Sequence, residues 1–141
     1  MTPIEIADAI SELALEPFDR AEFPFQFLAA FGNKETTLKK LRAGASNASD
    51  LDEGVLQRNN IHIATCAIGA VNATLTALRE SPKTASAKVK FILATDGEEF
   101  QAEDLASGET VACDYTNFDT HFGFFLPLAG VTNVKEIKET E

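Results

Sequence analysis

The sequence predicts an α+β domain with one mixed or antiparallel sheet flanked by helices. Three observations predict it. The elements run in the order helices, two strands, helix, three strands. The length, 141 residues, fits one domain and leaves little room for a second. Hydrophobic residues make up 45% and charged residues 24%, a globular balance rather than a disordered one.

Thr2-Pro3-Ile4-Glu5 opens the first helix as a capping box, with proline at the first helical position. Ile6, Ile10, Leu13 and Ala14 repeat at helical spacing as far as Pro17. Glu5, Asp8, Glu12 and Glu16 then form an acidic outer face. A second helix starts near Pro24, carries Phe27, Leu28 and Phe31, and stops at Gly32. Asn33 is placed to cap a third, Lys34 to Arg42, which Gly44 closes. The polar, small-residue segment 45–54 reads as a loop.

Val55-Leu56-Gln57 and Ile61 to Thr65 read as strands around an Asn59-Asn60 turn. A helix through Val71, Leu75 and Leu78 ends at Ser81-Pro82. Val89, Phe91 and Leu93 alternate up to Thr95. Asp96-Gly97 then suits a two-residue turn with positive φ at both positions, and Phe100 and Ala102 return. Ser107-Gly108 marks another turn, and Thr110 to Cys113 a further strand. Phe118, Phe122, Phe124, Phe125, Leu126 and Leu128 crowd the tail, which ends in the charged stretch 135–141.

Composition excludes several functions. With 12 Lys+Arg against 22 Asp+Glu, the net charge is −10 and the pI about 4.6. A self-sufficient nucleic-acid clamp needs more cations than that. No apolar run approaches the ~20 residues that span a bilayer. No signal-peptide core follows Met1, and two cysteines make no disulfide scaffold, so a cytoplasmic location is expected. His62, Cys66, Cys113 and His121 lack zinc-site spacing, and no metal site is assigned. There is no Gly-x-Ser-x-Gly elbow and no Gly-rich phosphate loop, so no catalytic residue is assigned either.

Charge is unevenly spread. Asp96, Glu98, Glu99, Glu103, Asp104, Glu109, Asp114 and Asp119 follow one another with no Lys or Arg among them. This run reads as the solvated face of a hairpin. The cations cluster as Lys34, Lys39, Lys40 and Arg42, and as Arg79, Lys83, Lys88 and Lys90. Gathered by the fold, such groups can touch a phosphate backbone despite the net charge.

Several segments together carry a family resemblance. They are Phe25-Gln26-Phe27-Leu28-Ala29-Ala30-Phe31-Gly32, Thr37-Leu38-Lys39-Lys40-Leu41-Arg42-Ala43-Gly44 with Asn47, and Gly54-Val55-Leu56. Phe91-Ile92-Leu93-Ala94-Thr95-Asp96-Gly97 and His121-Phe122-Gly123-Phe124-Phe125-Leu126-Pro127-Leu128-Ala129-Gly130 continue it. Between Phe23 and Gly130 the chain resembles the N-terminal region of large bacterial type II restriction–modification DNA adenine-N6 methyltransferases. In that class the cofactor S-adenosylmethionine is held by an F-x-G-x-G-type loop and the flipped adenine by (N/D)-P-P-(Y/F). Neither motif is present, and there is no Pro-Pro.

The resemblance therefore implies a non-catalytic accessory domain, residues 1–141 of a longer methyltransferase chain. Its catalytic part would carry the S-adenosylmethionine and reach the DNA. This domain would pack on that part or help position DNA. Lys34, Lys39, Lys40 and Arg42 are the DNA-contact candidates. Phe118, Phe122, Phe124 and Phe125 are the interdomain candidates.

Many of these enzymes carry an N-terminal Mg²⁺ nuclease of the restriction-endonuclease fold, with Asp and Glu-x-Lys at the metal. Here the matching strand reads Asn60-Ile61-His62, and the one literal Glu-x-Lys is Glu136-Ile137-Lys138, at the wrong end. The resemblance thus implies a degenerate nuclease-like core. Two readings compete with the accessory domain. One is a divergent nuclease using Asp50 or Asp52 with acids near Asp96. The other is a standalone acidic protein-interaction module.

Overall fold

The computed structural model describes residues 3–43 and 54–129, with only the backbone at 122 and 126–129. Five strands, β1 (Gly54–Gln57), β2 (Ile61–Thr65), β3 (Phe91–Thr95), β4 (Glu99–Asp104) and β5 (Thr110–Asp114), line up in sequence order. Every neighbouring pair is antiparallel except β2–β3, which is parallel, so the sheet is mixed. A parallel pair needs a crossover. It is made by α4 (Val71–Glu80) and the short α5 (Pro82–Ser86). The sequence pattern ends a helix at Ser81 and gives no sign of α5, whose N-cap is the Ser81 hydroxyl accepting from Lys83 N–H.

Helices α1 (Pro3–Leu15), α2 (Phe23–Ala30) and α3 (Glu35–Arg42) precede the sheet. Ile6, Ile10, Leu13 and Ala14 are the buried side of α1, as their spacing requires. Asp19 starts the turn into α2 by accepting from Ala21 and Glu22 N–H. Phe31 and Gly32 end α2 in a Schellman motif. Gly32 N–H donates to Ala29 O and Asn33 N–H to Leu28 O, with Gly32 at φ 94°.

The two faces of the sheet are covered differently. Ile61, Ile63, Phe91, Leu93, Phe100 and Ala102 face α1, α2 and the C-terminal segment Tyr115–Ala129. That segment winds in 3-10 turns broken at His121 (φ −108°, ψ 16°). Its threefold period brings Tyr115 and Phe118 onto one side, with ring centroids 5.0 Å apart. On the other face Ala64, Ile92 and Ala94 receive Val71, Leu75 and Leu78 of α4.

Three local expectations are corrected. Asn33 does not cap α3: the N-cap is Lys34, without a side-chain bond. The Asn33 side chain instead donates to Leu28 O and accepts from Gln57 Nε2 at 2.8 Å. Val89 is not in β3, because pairing with β2 begins only at Ile61 and Phe91. The Asp96-Gly97 connection is not a two-residue turn, since Thr95 pairs with Phe100 and only Gly97 has positive φ (90°). The Asp96 side chain sets this wider loop. Its Oδ1 accepts from Glu98 and Glu99 N–H, both at 2.8 Å. Thr2, Gly44 and most of the 45–54 loop lie outside the described residues.

Candidate functional site

The structure divides the four cations proposed for DNA. Lys39 lies 3.8 Å from Glu35, one turn earlier on α3. Arg42 donates to Glu22 and stacks over Phe25, 4.4 Å from the ring centroid. The Arg42 guanidinium holds the Glu22 carboxyl below its usual value. Lys34 and Lys40 are exposed, and among the described residues neither has an ion-pair partner.

The second basic group does not join the α3 group as a whole. Arg79, on α4 over the opposite sheet face, donates to Glu103 of β4. Lys88 and Lys90 lie instead at the end of the sheet where β2 and β3 begin. Asn59 N–H donates to Ala87 O at 2.9 Å and Lys90 N–H to Asn60 O at 2.8 Å. These bonds bring Arg58, in the β1–β2 turn, next to Lys88 and Lys90. Gln57 and Asn60 share a 2.8 Å side-chain bond, and Gln57 also bonds Asn33, beside Lys34. The clusters noted along the sequence omitted Arg58. No periodicity marks it, because long-range turn contacts create this surface.

The opposite end of the sheet is acidic. Asp96 is only 6% exposed. Burial pushes its carboxyl up, but backbone N–H donors, led by Glu99, Gly69 and Glu98, outweigh burial and hold it below its usual value. At the basic end Asp104 accepts from Ala106 and Ser107 N–H in the β4–β5 turn, and in the C-terminal segment Asp119 accepts from Ser11 Oγ. Half of the acidic run thus serves turns, a helix contact and an ion pair (Asp96, Asp104, Asp119 and Glu103).

Phe118 and Phe125, proposed as interdomain contacts, are each 1% exposed inside the domain's own core. Phe118 stacks on Phe100 (4.8 Å, interplanar 5°), and Phe125 meets Phe27 edge-on at 5.2 Å. Phe124 is half-buried against Phe91 and Phe125 and keeps some surface. The Phe122 side chain lies outside the described residues.

The two residues that stand where the nuclease motif has Glu and Lys are held by turn and core contacts. Asn60 spends its amide on Gln57. His62 is fully buried, with Nδ1 2.9 Å from Thr84 Oγ1. Thr84 gives its one hydroxyl proton to Leu78 O, so it accepts from His62 and the proton sits on Nδ1. Asp50, Asp52 and Glu136-Ile137-Lys138 lie outside the described residues. Cys66 and Cys113 are on opposite faces of the sheet. Burial, then the charges of Asp114 and Asp119, push the Cys113 thiol up. Among the described residues no three His, Cys, Asp or Glu side chains gather as a metal site, and no helix is long and apolar enough to cross a membrane. A shallow groove of about 300 Å³ between α1 and α2 is lined by Ala9, Leu13, Ala29 and Ala30 with Glu12 and Glu16.

The family model described as "MmeI, N-terminal domain" matches residues 1–141, the whole chain. The chain belongs to the MmeI N-terminal domain family. The resemblance to the N-terminal region of type II restriction–modification methyltransferases therefore holds. The chain is also similar to "DNA methyltransferase A" of Bacillus subtilis (strain 168), with 24% identity over 139 residues. That similarity covers 99% of this chain and 16% of the relative. No solved structure matches the chain.

Proposed function

We propose that this MmeI N-terminal domain is a non-catalytic part of a restriction–modification DNA adenine-N6 methyltransferase. It packs on the catalytic part of the same protein and helps position DNA. The observation that carries this reading is the coverage. The whole chain aligns with only 16% of a protein named for DNA methylation. The remaining length of such a protein has room for the cofactor and target-base motifs that this sequence lacks.

These residues do not fit S-adenosylmethionine. The sequence has no F-x-G-x-G loop. The α1–α2 groove is shallow and carries two carboxylates, with no glycine turn for the cofactor to approach. The cofactor and the methyl-transfer step therefore belong to the rest of the protein, where DNA is also the expected partner. A cytoplasmic location accords with that role. The engagement of Asn60 and His62 in turn and core contacts supports the absence of nuclease chemistry.

The test compares the full-length protein with a form lacking residues 1–141. Incorporation of labelled methyl groups into duplex DNA and binding of S-adenosylmethionine are both measured. The expected result is intact cofactor binding and retained methyl transfer at saturating DNA, with weakened DNA binding. Loss of methyl transfer at saturating DNA, with cofactor binding intact, overturns the non-catalytic role. Mg²⁺-dependent cleavage that disappears with the domain does so as well.

A further inference from the structure

Four of the described cations outside ion pairs gather at one end of the sheet, while Lys40 on α3 and Lys83 on α5 stand apart. Lys34, Arg58, Lys88 and Lys90 are exposed, and among the described residues none has a carboxylate partner. Backbone and amide bonds fix the elements that present them. Asn33 to Gln57 holds the α3 start, and Asn59 N–H to Ala87 O holds the β1–β2 turn. Lys90 N–H to Asn60 O holds the entry to β3. Asn59 and Lys88 are the two non-glycine residues given positive φ (66° and 55°), and they face each other here. A lysine in the left-handed region is uncommon, and its surroundings must hold it there.

The carboxylates nearest these cations belong to the adjoining β4–β5 turn, whose Leu105 N–H donates to Lys90 O at 2.9 Å. At this same end, Asp104 and Glu109 sit under the β4–β5 turn, and Asp104 is committed to turn N–H groups. At the far end, Glu98 O accepts from Tyr115 N–H and Glu99 pairs with Asp114. Those residues, with Asp96, make that end acidic. The sheet is thus polarised along its strands in a chain of net charge −10.

We infer that the sheet end bearing Lys34, Arg58, Lys88 and Lys90 is a duplex-DNA contact surface that reads phosphates and not bases. The inference rests on the DNA-positioning role proposed above and names its surface. Unpaired, exposed ammonium and guanidinium groups suit a regular array of phosphate charges. The acidic end repels the same duplex, so the domain meets DNA in one orientation. The outer face of α3, with Lys39 and Arg42 already paired, is not the contact surface.

The test uses the full-length protein and a labelled duplex of arbitrary sequence, with affinity measured across a salt series. Replacing Arg58, Lys88 and Lys90 by Gln weakens binding equally on unrelated sequences. It also lowers the slope of log affinity against log salt by about 0.9 for each phosphate no longer neutralised. K88R/K90R keeps the slope, and K39Q/K40Q leaves it unchanged. An unchanged slope in the triple Gln variant, folded by circular dichroism, overturns the inference. A slope that falls in K39Q/K40Q instead also overturns it. Loss of methyl-transfer activity in the triple variant with DNA affinity intact assigns the surface to the catalytic part and overturns it too. Failure of the unaltered protein to bind any duplex overturns the proposed function itself, a separate result.

Discussion

The two faces of the sheet solve the same covering problem with different materials. One face gathers chain from far apart in sequence, α1 and α2 at the start and 115–125 at the end, and fills the gap with rings. Phe27 alone meets Phe23, Phe31, Phe100, Phe118 and Phe125 within 6.4 Å. The other face is covered by α4, which lies between the strands it packs on. Ala64 and Ala94 there let the helix sit close, with its Leu75 and Leu78 packed on the sheet. The elements gathered on the first face reach the sheet through wide aromatic side chains. A local crossover helix needs small ones beneath it. The first and last described elements, α1 and the C-terminal segment, thus both pack on the aromatic face.

The largest expected effect tests that point. Phe27→Ala opens a cavity shared by three elements and costs roughly 3–5 kcal/mol. Leu78→Ala, also fully buried but on the local helix α4, costs roughly 2–4 kcal/mol. Urea midpoints of the two variants rank the faces. A smaller loss for Phe27→Ala than for Leu78→Ala breaks the comparison. Ala94→Leu sharpens it from the other side. The extra carbons have no gap to fill beneath α4, and overpacking costs roughly 1–3 kcal/mol in the same assay.

The loop after β3 joins the faces. Gly97 lies against the Phe18 ring, where an added Cβ would come within 2.5 Å of Cδ2, while Asp96 Oδ2 accepts from Gly69 N–H before α4. Asp96→Asn sets an amide donor against one of the N–H groups and costs roughly 1–3 kcal/mol. The pH dependence follows from the lowered carboxyl. A folded-state value below the unfolded one stabilises fully above the unfolded value. That stabilisation is lost as pH falls through the folded-state value. Acid titration of stability by circular dichroism therefore shows a steeper loss below about pH 4 in the unaltered protein than in Asp96→Asn.

Element order and most strand positions were legible because period-2 alternation, as in Phe91 and Leu93, and helical spacing, as in Ile6, Ile10 and Leu13, are local signals. What failed was decided at a distance. Asn33 looks like a cap until Gln57, 24 residues on, takes its side-chain oxygen. Val89 alternates with Phe91 but falls outside the strand because its partner strand begins only at Ile61, opposite Phe91. The parallel β2–β3 register has no signature of its own, only the intervening helix. The candidate site was half legible. Lys34 belonged to a visible cluster. Arg58 comes beside Lys88 through the bond from Asn59 N–H to Ala87 O, which no spacing rule reports.

The smallest effect concerns the place where the two faces differ in polarity. Where α4 meets β4 the second face turns polar. Arg79 Nε donates to Glu103 Oε1 at 3.0 Å, and Gln101 Nε2 to Asn72 Oδ1 at 2.8 Å. Arg79 is 44% exposed, so solvent screens the pair. Such a contact contributes about 0–1 kcal/mol and weakens with salt. Glu103→Gln should lower the urea midpoint slightly at low ionic strength and not at all near 1 M salt. A loss above about 1.5 kcal/mol that persists in salt would make the pair part of the helix-to-sheet lock. α4 would then be held by charge as well as by Leu75 and Leu78, and the aliphatic face could no longer be read as packing alone.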